Sequence, residues 1–163
     1  MIGDLMNEKV QLRQATSADY DTLGDVMYEA VRKGRSHYSE TQREAWVPEP
    51  RTGKDWFERL DKQAIVVAES SDQIVGFMSL AADAYLDFAY IRPSAQGSGL
   101  FRRMYAEIEQ LAVKSSQDRI WVHASLMAQP AFASVGFSVL KRETVMIGKE
   151  SFERYEMEKP LTR

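Results

Sequence analysis

The residues whose types and spacing most clearly suggest a chemical role form a short glycine-containing loop, Gln96-Gly97-Ser98-Gly99. Glycine adopts backbone conformations that other residues avoid, so successive amide groups of such a loop can converge on an anion at the positive end of a helix. Arg102 follows in the first turn of the predicted helix, where the helix dipole opposes its charge unless an anion is present. The pattern fits a pyrophosphate site, but two glycines before a helix are also ordinary turn chemistry, and both interpretations stay open.

Other kinds of site are excluded by what the sequence lacks. It has no cysteine, which excludes a disulfide framework, a thiolate metal cluster and a cysteine nucleophile. The two histidines, His37 and His123, lack the spacing and the third ligand of a zinc site, and there is no Gly-x-Ser-x-Gly elbow. No Gly-Lys-Ser/Thr follows the loop, and its third glycine is missing, so it is neither a Walker loop nor a dinucleotide fingerprint. A net charge of −3 argues against nucleic acid as the main ligand.

The elements that must position the loop are predicted by the spacing of apolar residues. A strand near residues 10–15 precedes a helix that opens at the capping box Thr16–Asp19, and two more helical pieces follow at Thr41–Trp46 and from Thr52. The later elements are strands at Ala64–Ala68, Ile74–Leu80, Tyr85–Ile91 and Ile120–Ala124, a long helix after Gly99, a short helix at Pro130–Val135 and a final hairpin turning near Gly148. Because hairpins are antiparallel, we expect an α/β (α+β) domain with a single mixed central β-sheet flanked by helices.

The length of 163 residues, 44% of them apolar, is that of one ordinary domain. We therefore assign residues 1–163 to a single domain, with about residues 1–9 as an N-terminal extension. The N-terminus lacks the basic start and apolar run of a secretory signal, and no apolar stretch has the length of a membrane span. We expect a cytoplasmic protein with no membrane partner.

A specific family resemblance starts at the strand before the glycine loop. The segment Leu86–Pro93 followed by Gln96-x-x-Gly99 resembles the strand and pyrophosphate loop of the GNAT superfamily of N-acetyltransferases. The segment Ala128–Phe137 resembles the short helix of that family that ends in Gly-Phe, and the predicted order of elements is similar over roughly residues 10–160. The resemblance implies a GNAT-like acyl-CoA N-acyltransferase fold.

The resemblance also implies a ligand, acetyl-CoA as cosubstrate, and no metal. Its pantetheine arm would pair with the backbone of the strand that ends at Ile91, where this strand parts from the strand Ile120–Ala124. Phe101 stands at the final Gly/Ala place of the loop pattern, and we expect its ring to turn into the core and leave its amide free. The implied cofactor-binding residues are Ala89, Tyr90, Ile91, Gln96, Gly97, Ser98, Gly99, Phe101 and Arg102.

The implied reaction is direct attack of a neutral primary amine on the thioester in a ternary complex, with no covalent enzyme intermediate. Asp87, in an otherwise apolar strand, is the first candidate for the base or for ordering a water that serves as one; alternatively it faces solvent or pairs with an arginine. Phe132 stands where many family members carry the tyrosine that protonates the departing thiolate. Ser125 and Tyr155 are the candidates to replace that tyrosine, although both also suit ordinary strand positions.

We expect the acceptor pocket in the helical first third of the chain, at Tyr28, His37, Tyr38 and Trp46. His37 is an alternative base or a surface-loop histidine, and His123 is expected to be a structural or rim residue. The acceptor would be a small-molecule or peptide amine, and a homodimer is compatible with this interpretation. Two alternatives stay open, a CoA-binding sensor without catalysis and the transfer of a different acyl group.

Overall fold

The computed structural model describes residues 9–162, and these form one seven-stranded sheet in the order β1-β2-β3-β4-β5-β7-β6. All neighbouring strands are antiparallel except β4 and β5, which run parallel. The strands are β1 Gln11–Gln14, β2 Ala64–Ser70, β3 Gln73–Leu80, β4 Tyr85–Ile91, β5 Arg119–Ser125, β6 Ser138–Ile147 and β7 Glu150–Pro160. The predicted mixed sheet and its class are confirmed. The proposed N-terminal extension lies almost entirely outside the described residues.

Helices cover both faces of this sheet. They are α1 Tyr20–Lys33, α2 Glu40–Trp46, α3 Lys54–Asp61, α4 Leu100–Lys114 and α5 Gln129–Ser134, with short 3₁₀ turns at Ser17–Asp19 and Pro93–Ala95. The capping box between Thr16 and Asp19 is present as predicted. Across residues 9–162, no helix combines the length and apolarity that a membrane crossing requires.

The start of α3 differs from the prediction. Thr52 does not cap this helix, because Gly53 occupies the N-cap position with a φ of 89°. The Thr52 hydroxyl instead donates a hydrogen bond to the Asp21 carboxylate at 2.6 Å. The helix therefore begins one residue later than a Thr52 cap would give, and the threonine ties it to α1.

Two apolar layers hold the sheet between the helices. On one face, α4 buries Leu100, Met104 and Ile108 together with Phe132 of α5. On the other face, α1 packs with α3 over the strands in a second cluster that includes Phe88 of β4. Burial of this apolar area from water on both faces is the main force that fixes the helices on the sheet.

The parallel pair β4 and β5 separates soon after it begins. Its register contains only Tyr85 opposite Trp121 and Leu86 opposite Val122. A bulge in β4 adds to the divergence, because the register with β3 passes from Leu86 to Phe88 and leaves Asp87 as the extra residue. Residues two apart on a regular strand share a face, but Leu86 packs in the α4 layer and Phe88 in the α1 layer. The bulge thus rotates Asp87 and the later residues of β4 relative to the start of the strand, at the point where β4 and β5 separate.

Candidate active site

The gap between β4 and β5 opens into a cleft of about 380 Å³ at the start of α4. Most of the residues implied for cofactor binding lie on its wall, namely Ala89, Tyr90, Ile91, Gln96, Gly97, Gly99 and Phe101. Ser98 and Arg102 are not on this wall. The Ser98 hydroxyl donates to the Ala95 carbonyl at 2.8 Å, and Arg102 is exposed and donates to the Ser134 carbonyl at 3.2 Å. Ser98 therefore supports the loop, and Arg102 links α4 to α5.

The glycine loop has the backbone geometry of an anion site. Gly97 and Gly99 have φ values of 79° and 80°, in the left-handed region that favours glycine. The helical hydrogen bonds begin with the Arg103 N–H, which donates to the Gly99 carbonyl at 3.3 Å. The N–H groups of residues 100–102 precede that first bond, so they are left for a partner outside the helix. Converging amides at a helix N-terminus fit a pyrophosphate.

Phe101 is placed as its sequence position predicts. Its ring packs edge-on against the ring of Phe132, with centroids 5.0 Å apart, and Phe132 in turn contacts Phe137 at 5.1 Å. The side chain points away from the loop while the Phe101 amide stays in the first turn of α4. A bulky residue is therefore accommodated at this place of the loop without loss of the amide donor.

A second cavity, of about 190 Å³, lies on the α1 face of the sheet. Trp46, Tyr90 and Ser125 line both this cavity and the cleft at the glycine loop. A narrow space of about 60 Å³ between β4 and β5 is lined by the same three residues. The two cavities are therefore neighbours at the point where the strands part, and we refer to the second one as the acceptor cavity.

Of the four residues predicted to bind the acceptor, the structure brings two to this cavity. Tyr38 and Trp46 line it. The Tyr38 hydroxyl donates to the Glu153 carbonyl at 2.6 Å and accepts from the Leu126 N–H at 3.0 Å, which joins the loop before α2 to β7 and to the end of β5. Burial raises the pKa of Tyr38 above its ordinary value, so this phenol stays protonated.

The other two residues predicted to bind the acceptor, Tyr28 and His37, do not line this cavity. Tyr28 is half-buried on α1 with the Arg32 guanidinium carbon 5.2 Å from its ring centre, and the helix turns Met27 toward the cavity instead. His37 is exposed, and its backbone N–H donates to the Met127 sulfur at 3.1 Å. His37 is therefore not positioned to serve as a base.

Asp87 lines the acceptor cavity, with its carboxylate held by three hydrogen bonds. Arg59 donates through Nε at 2.9 Å and through Nη2 at 2.7 Å, and Gln63 donates through Nε2 at 2.7 Å. The side chain is only 8% exposed. The pairing with an arginine, which the sequence left open, is the arrangement found. Donors therefore occupy both carboxylate oxygens and compete with a substrate for them.

The two candidates for protonating the thiolate are separated by the sheet. Ser125 is the last residue of β5 and opens to the cleft and to the acceptor cavity; its hydroxyl oxygen accepts from the Ala128 N–H at 3.1 Å. Tyr155 pairs with Ala124 in the sheet and packs against the α4 layer, with Arg142 over its ring at 5.6 Å. Strand alternation turns its neighbours toward the acceptor side and Tyr155 away from it. Tyr155 therefore lines neither the cleft nor the acceptor cavity, and its role in protonation stays a prediction.

Sequence reasoning missed a pair of residues at the centre of the acceptor cavity. The Tyr85 hydroxyl lies 2.9 Å from His123 Nδ1, and His123 Nε2 lies 3.5 Å from carboxylate oxygens of Glu143 and Glu156. Burial, followed by the nearby charge of Arg154, lowers the pKa of His123 below its ordinary 6.5. Burial also raises the pKa of Tyr85. A neutral imidazole next to a protonated phenol is therefore the stable state near neutral pH.

A spacing in the sequence points to the histidine of this pair, although not to Tyr85. His123 and Ser125 are two apart on β5, so they share a face, and Ser125 was already a candidate. Three arginines of the same cavity, Arg51, Arg59 and Arg154, carried no comparable pattern, because they come from a loop, a helix and a hairpin strand. Within residues 9–162, no cluster of three or more His, Asp or Glu side chains is arranged to hold a metal ion.

Comparison with known proteins agrees with this geometry. Residues 34–159 match the family model for the acetyltransferase (GNAT) domain. An uncharacterized N-acetyltransferase of Escherichia coli strain K12 is 30% identical over 139 residues, which cover 83% of this chain and 86% of that protein. A GCN5-related N-acetyltransferase from Rhodopseudomonas palustris superposes with a TM-score of 0.85 at 27% identity, over 93% of this chain and 95% of the other.

A more distant structure shares the fold. The phosphinothricin acetyltransferase from Sinorhizobium meliloti, solved in complex with acetyl-CoA, has a TM-score of 0.72 at 17% identity and covers 94% of this chain and 89% of its own. The family match spans the parted strands, the glycine loop and the acceptor cavity described above. The chain belongs to the GNAT acetyltransferase family.

Proposed function

We propose that this protein transfers the acetyl group of acetyl-CoA to the primary amine of a small-molecule acceptor, by direct attack in a ternary complex. One observation carries this proposal: the cleft at the glycine loop, the acceptor cavity and the narrow space between β4 and β5 share Trp46, Tyr90 and Ser125 as lining residues. Two substrates that enter from opposite faces of the sheet would come together at that opening. The complex of the Sinorhizobium relative with acetyl-CoA supports the choice of cosubstrate.

Acetyl-CoA would be held mainly by the main chain. The amides of residues 97–102 are the donors for its pyrophosphate. The edge of β4 that faces the gap, from Ala89 to Ile91, offers backbone groups to its pantetheine amides, and the Ile91 carbonyl on this edge already accepts from Gln96 Nε2 at 3.0 Å. When bound, it supplies an activated thioester whose carbonyl a neutral amine can attack. The edge-on packing of Phe101 against Phe132 makes this wall apolar below the loop.

Proton removal from the attacking amine falls to Tyr85 and His123. The carboxylates of Glu143 and Glu156 face Nε2 and favour the hydrogen on that nitrogen, which leaves Nδ1 to accept from the Tyr85 hydroxyl. Tyr85 can then take a proton from the amine while it passes its own to His123. The lowered pKa of His123 keeps the imidazole neutral, and therefore able to accept, near pH 7.

Ser125 and Asp87 take different parts in this proposal. Ser125 lies between the two cavities, so its hydroxyl hydrogen can stabilise the departing thiolate. It would replace the tyrosine hydroxyl that is missing because Phe132 stands at that position. Asp87 fixes Arg59 on the cavity wall and acts as a positioning residue rather than the base first expected.

The test combines calorimetry with turnover. We expect CoA to bind to the purified protein, and acetyl-CoA with a panel of primary amines to give free CoA and an acetylated amine, identified by mass spectrometry. CoA binding without turnover of any amine would overturn the catalytic part and favour a CoA sensor. Turnover with propionyl-CoA or longer thioesters but not with acetyl-CoA would overturn the choice of acyl group. Absence of CoA binding would overturn the whole proposal.

A further inference from the structure

Among the three arginines that line the acceptor cavity, Arg51 is the one that forms no ion pair with the described residues. Arg59 is paired with Asp87 at 2.7 Å, and Arg154 is paired with Glu143 at 2.9 Å. For Arg51, no carboxylate of residues 9–162 lies within ion-pair distance, although its side chain lines the same cavity. An arginine at such a place is an unused set of hydrogen-bond donors.

The fold holds Arg51 firmly in this position. Its backbone packs so closely on α1 that a Cβ atom added at Gly24 would lie 2.0 Å from the Arg51 carbonyl oxygen. Its guanidinium carbon lies 5.9 Å from the centre of the Trp56 ring, and Trp56 is buried between α3 and the sheet. Burial lowers the pKa of Arg51 below its ordinary value. A cation placed out of water without a counter-ion costs free energy, which a bound anion can offset.

The remaining charges of the cavity favour the same kind of ligand. Three arginines line it, and Asp87, the carboxylate on its wall, already accepts three hydrogen bonds from Arg59 and Gln63. His123 is neutral because its pKa is lowered, and burial keeps Tyr90 protonated by raising its pKa. Since Arg59 and Arg154 are each paired with a carboxylate, Arg51 is the charge on the cavity wall that no carboxylate offsets, and it would repel the second cation of a diamine.

We propose that the acceptor is a small aminocarboxylate, a molecule with a primary amine and a carboxylate, and that Arg51 binds the carboxylate while the amine faces Tyr85 and His123. The planar guanidinium matches a carboxylate through two parallel hydrogen bonds, which a lysine could not provide. A volume of about 190 Å³ suits one small molecule rather than a folded peptide segment. This inference rests on the proposed acetyl transfer and names its substrate class.

Matched substrate pairs test it. Initial rates would be measured with acetyl-CoA and free L-amino acids, their carboxamides, and the diamine putrescine. We expect the wild-type protein to prefer the carboxylate over its amide by roughly 10- to 100-fold in kcat/KM, the range for a charge-assisted hydrogen bond pair. In R51M this ratio should fall close to one through a raised KM for the carboxylate, with kcat/KM for the amide retained. Arg51→Lys, which keeps the charge but not the planar pair of N–H donors, should give an intermediate ratio.

The control is Arg119→Met, because Arg119 also lies over a tryptophan ring, 5.5 Å from that of Trp121, but outside the acceptor cavity. This variant should keep the wild-type ratio. A ratio unchanged in folded R51M and R51K, or a wild-type preference for amides or putrescine, would overturn the aminocarboxylate acceptor while leaving acetyl transfer intact. Absence of turnover with every amine would instead overturn the proposed function and this inference with it.

Discussion

The two halves of the site differ in what they are made of. The cleft at the glycine loop is bounded by small and apolar residues and by main-chain groups, with φ values near 80° at Gly97 and Gly99. The acceptor cavity is bounded by charged and aromatic side chains from the loop before α3, from α3 itself and from three strands of the sheet. The cleft therefore offers a ligand mainly backbone groups, and the acceptor cavity offers a ligand mainly side chains.

This difference explains where the sequence tolerates change. Phe101 replaces a small residue of the family loop, yet the amide it contributes is kept because its ring packs on Phe132. A backbone site requires particular φ values but few particular side chains. A side-chain site requires each group at a set distance, so every substitution there changes chemistry.

The largest expected effect is in the acceptor half. His123→Gln should lower kcat/KM for acetyl transfer by roughly 10²- to 10⁴-fold, the range of general base catalysis, with unchanged CoA affinity. Since the neutral imidazole is the active form, wild-type kcat/KM should rise with pH through a midpoint below 6.5, and this limb should be absent in H123Q. Asp87→Asn, measured alongside, should cost less than about tenfold if it only positions Arg59. A larger loss in D87N than in H123Q would return the role of base to Asp87.

The next effect is in the cofactor half. Gly99→Val should weaken CoA binding by roughly 100-fold, because valine resists a φ of 80° and displaces the amides of the first turn. Gly53→Val is the matched control, since Gly53 has a φ of 89° and open space around it but lies away from the cleft. Calorimetry should show normal CoA affinity for this control. Equal affinities in the two variants would contradict the pyrophosphate site.

The smallest effect should come from a charged side chain beside the backbone site. Arg102→Ala should weaken CoA binding by only about two- to fivefold, because the exposed guanidinium already donates to the Ser134 carbonyl. The same titration at low and high salt checks the result. A loss as large as that of G99V would show that side-chain charge, rather than the main chain, dominates this half.

Much of the fold was predictable because it depends on local sequence patterns. The strand Tyr85–Ile91 was predicted with its observed bounds, since an apolar run is stopped by a proline two residues later. The glycine loop and its role at the start of α4 followed from residue types. The bulge at Asp87 left no such mark, because it depends on register with β3. The cytoplasmic location, the homodimer and the single-domain boundaries stay predictions.

The acceptor half was only partly predictable for a related reason. Tyr38 and Trp46 line the cavity as expected, whereas Tyr28, His37 and Tyr155 do not, because of the turn of a helix, an exposed loop and the alternation of β7. Ser125 implied His123 only once both were known to face the cavity. Residue type told what chemistry a side chain offers but not which face it occupies.

The sequence by itself determined the order of elements and the backbone-built loop, because those depend on apolar spacing and on the conformational freedom of glycine within a few residues. The family followed from the resemblance of Leu86–Pro93 and the loop to GNAT enzymes. Only the tertiary structure decided which side chains meet. Asp87 is paired with Arg59 from 28 residues away, Tyr85 reaches His123 on the neighbouring strand, and Arg51 is left without an ion pair among the described residues. Such pairings depend on register and packing between distant segments, and no local pattern encodes them.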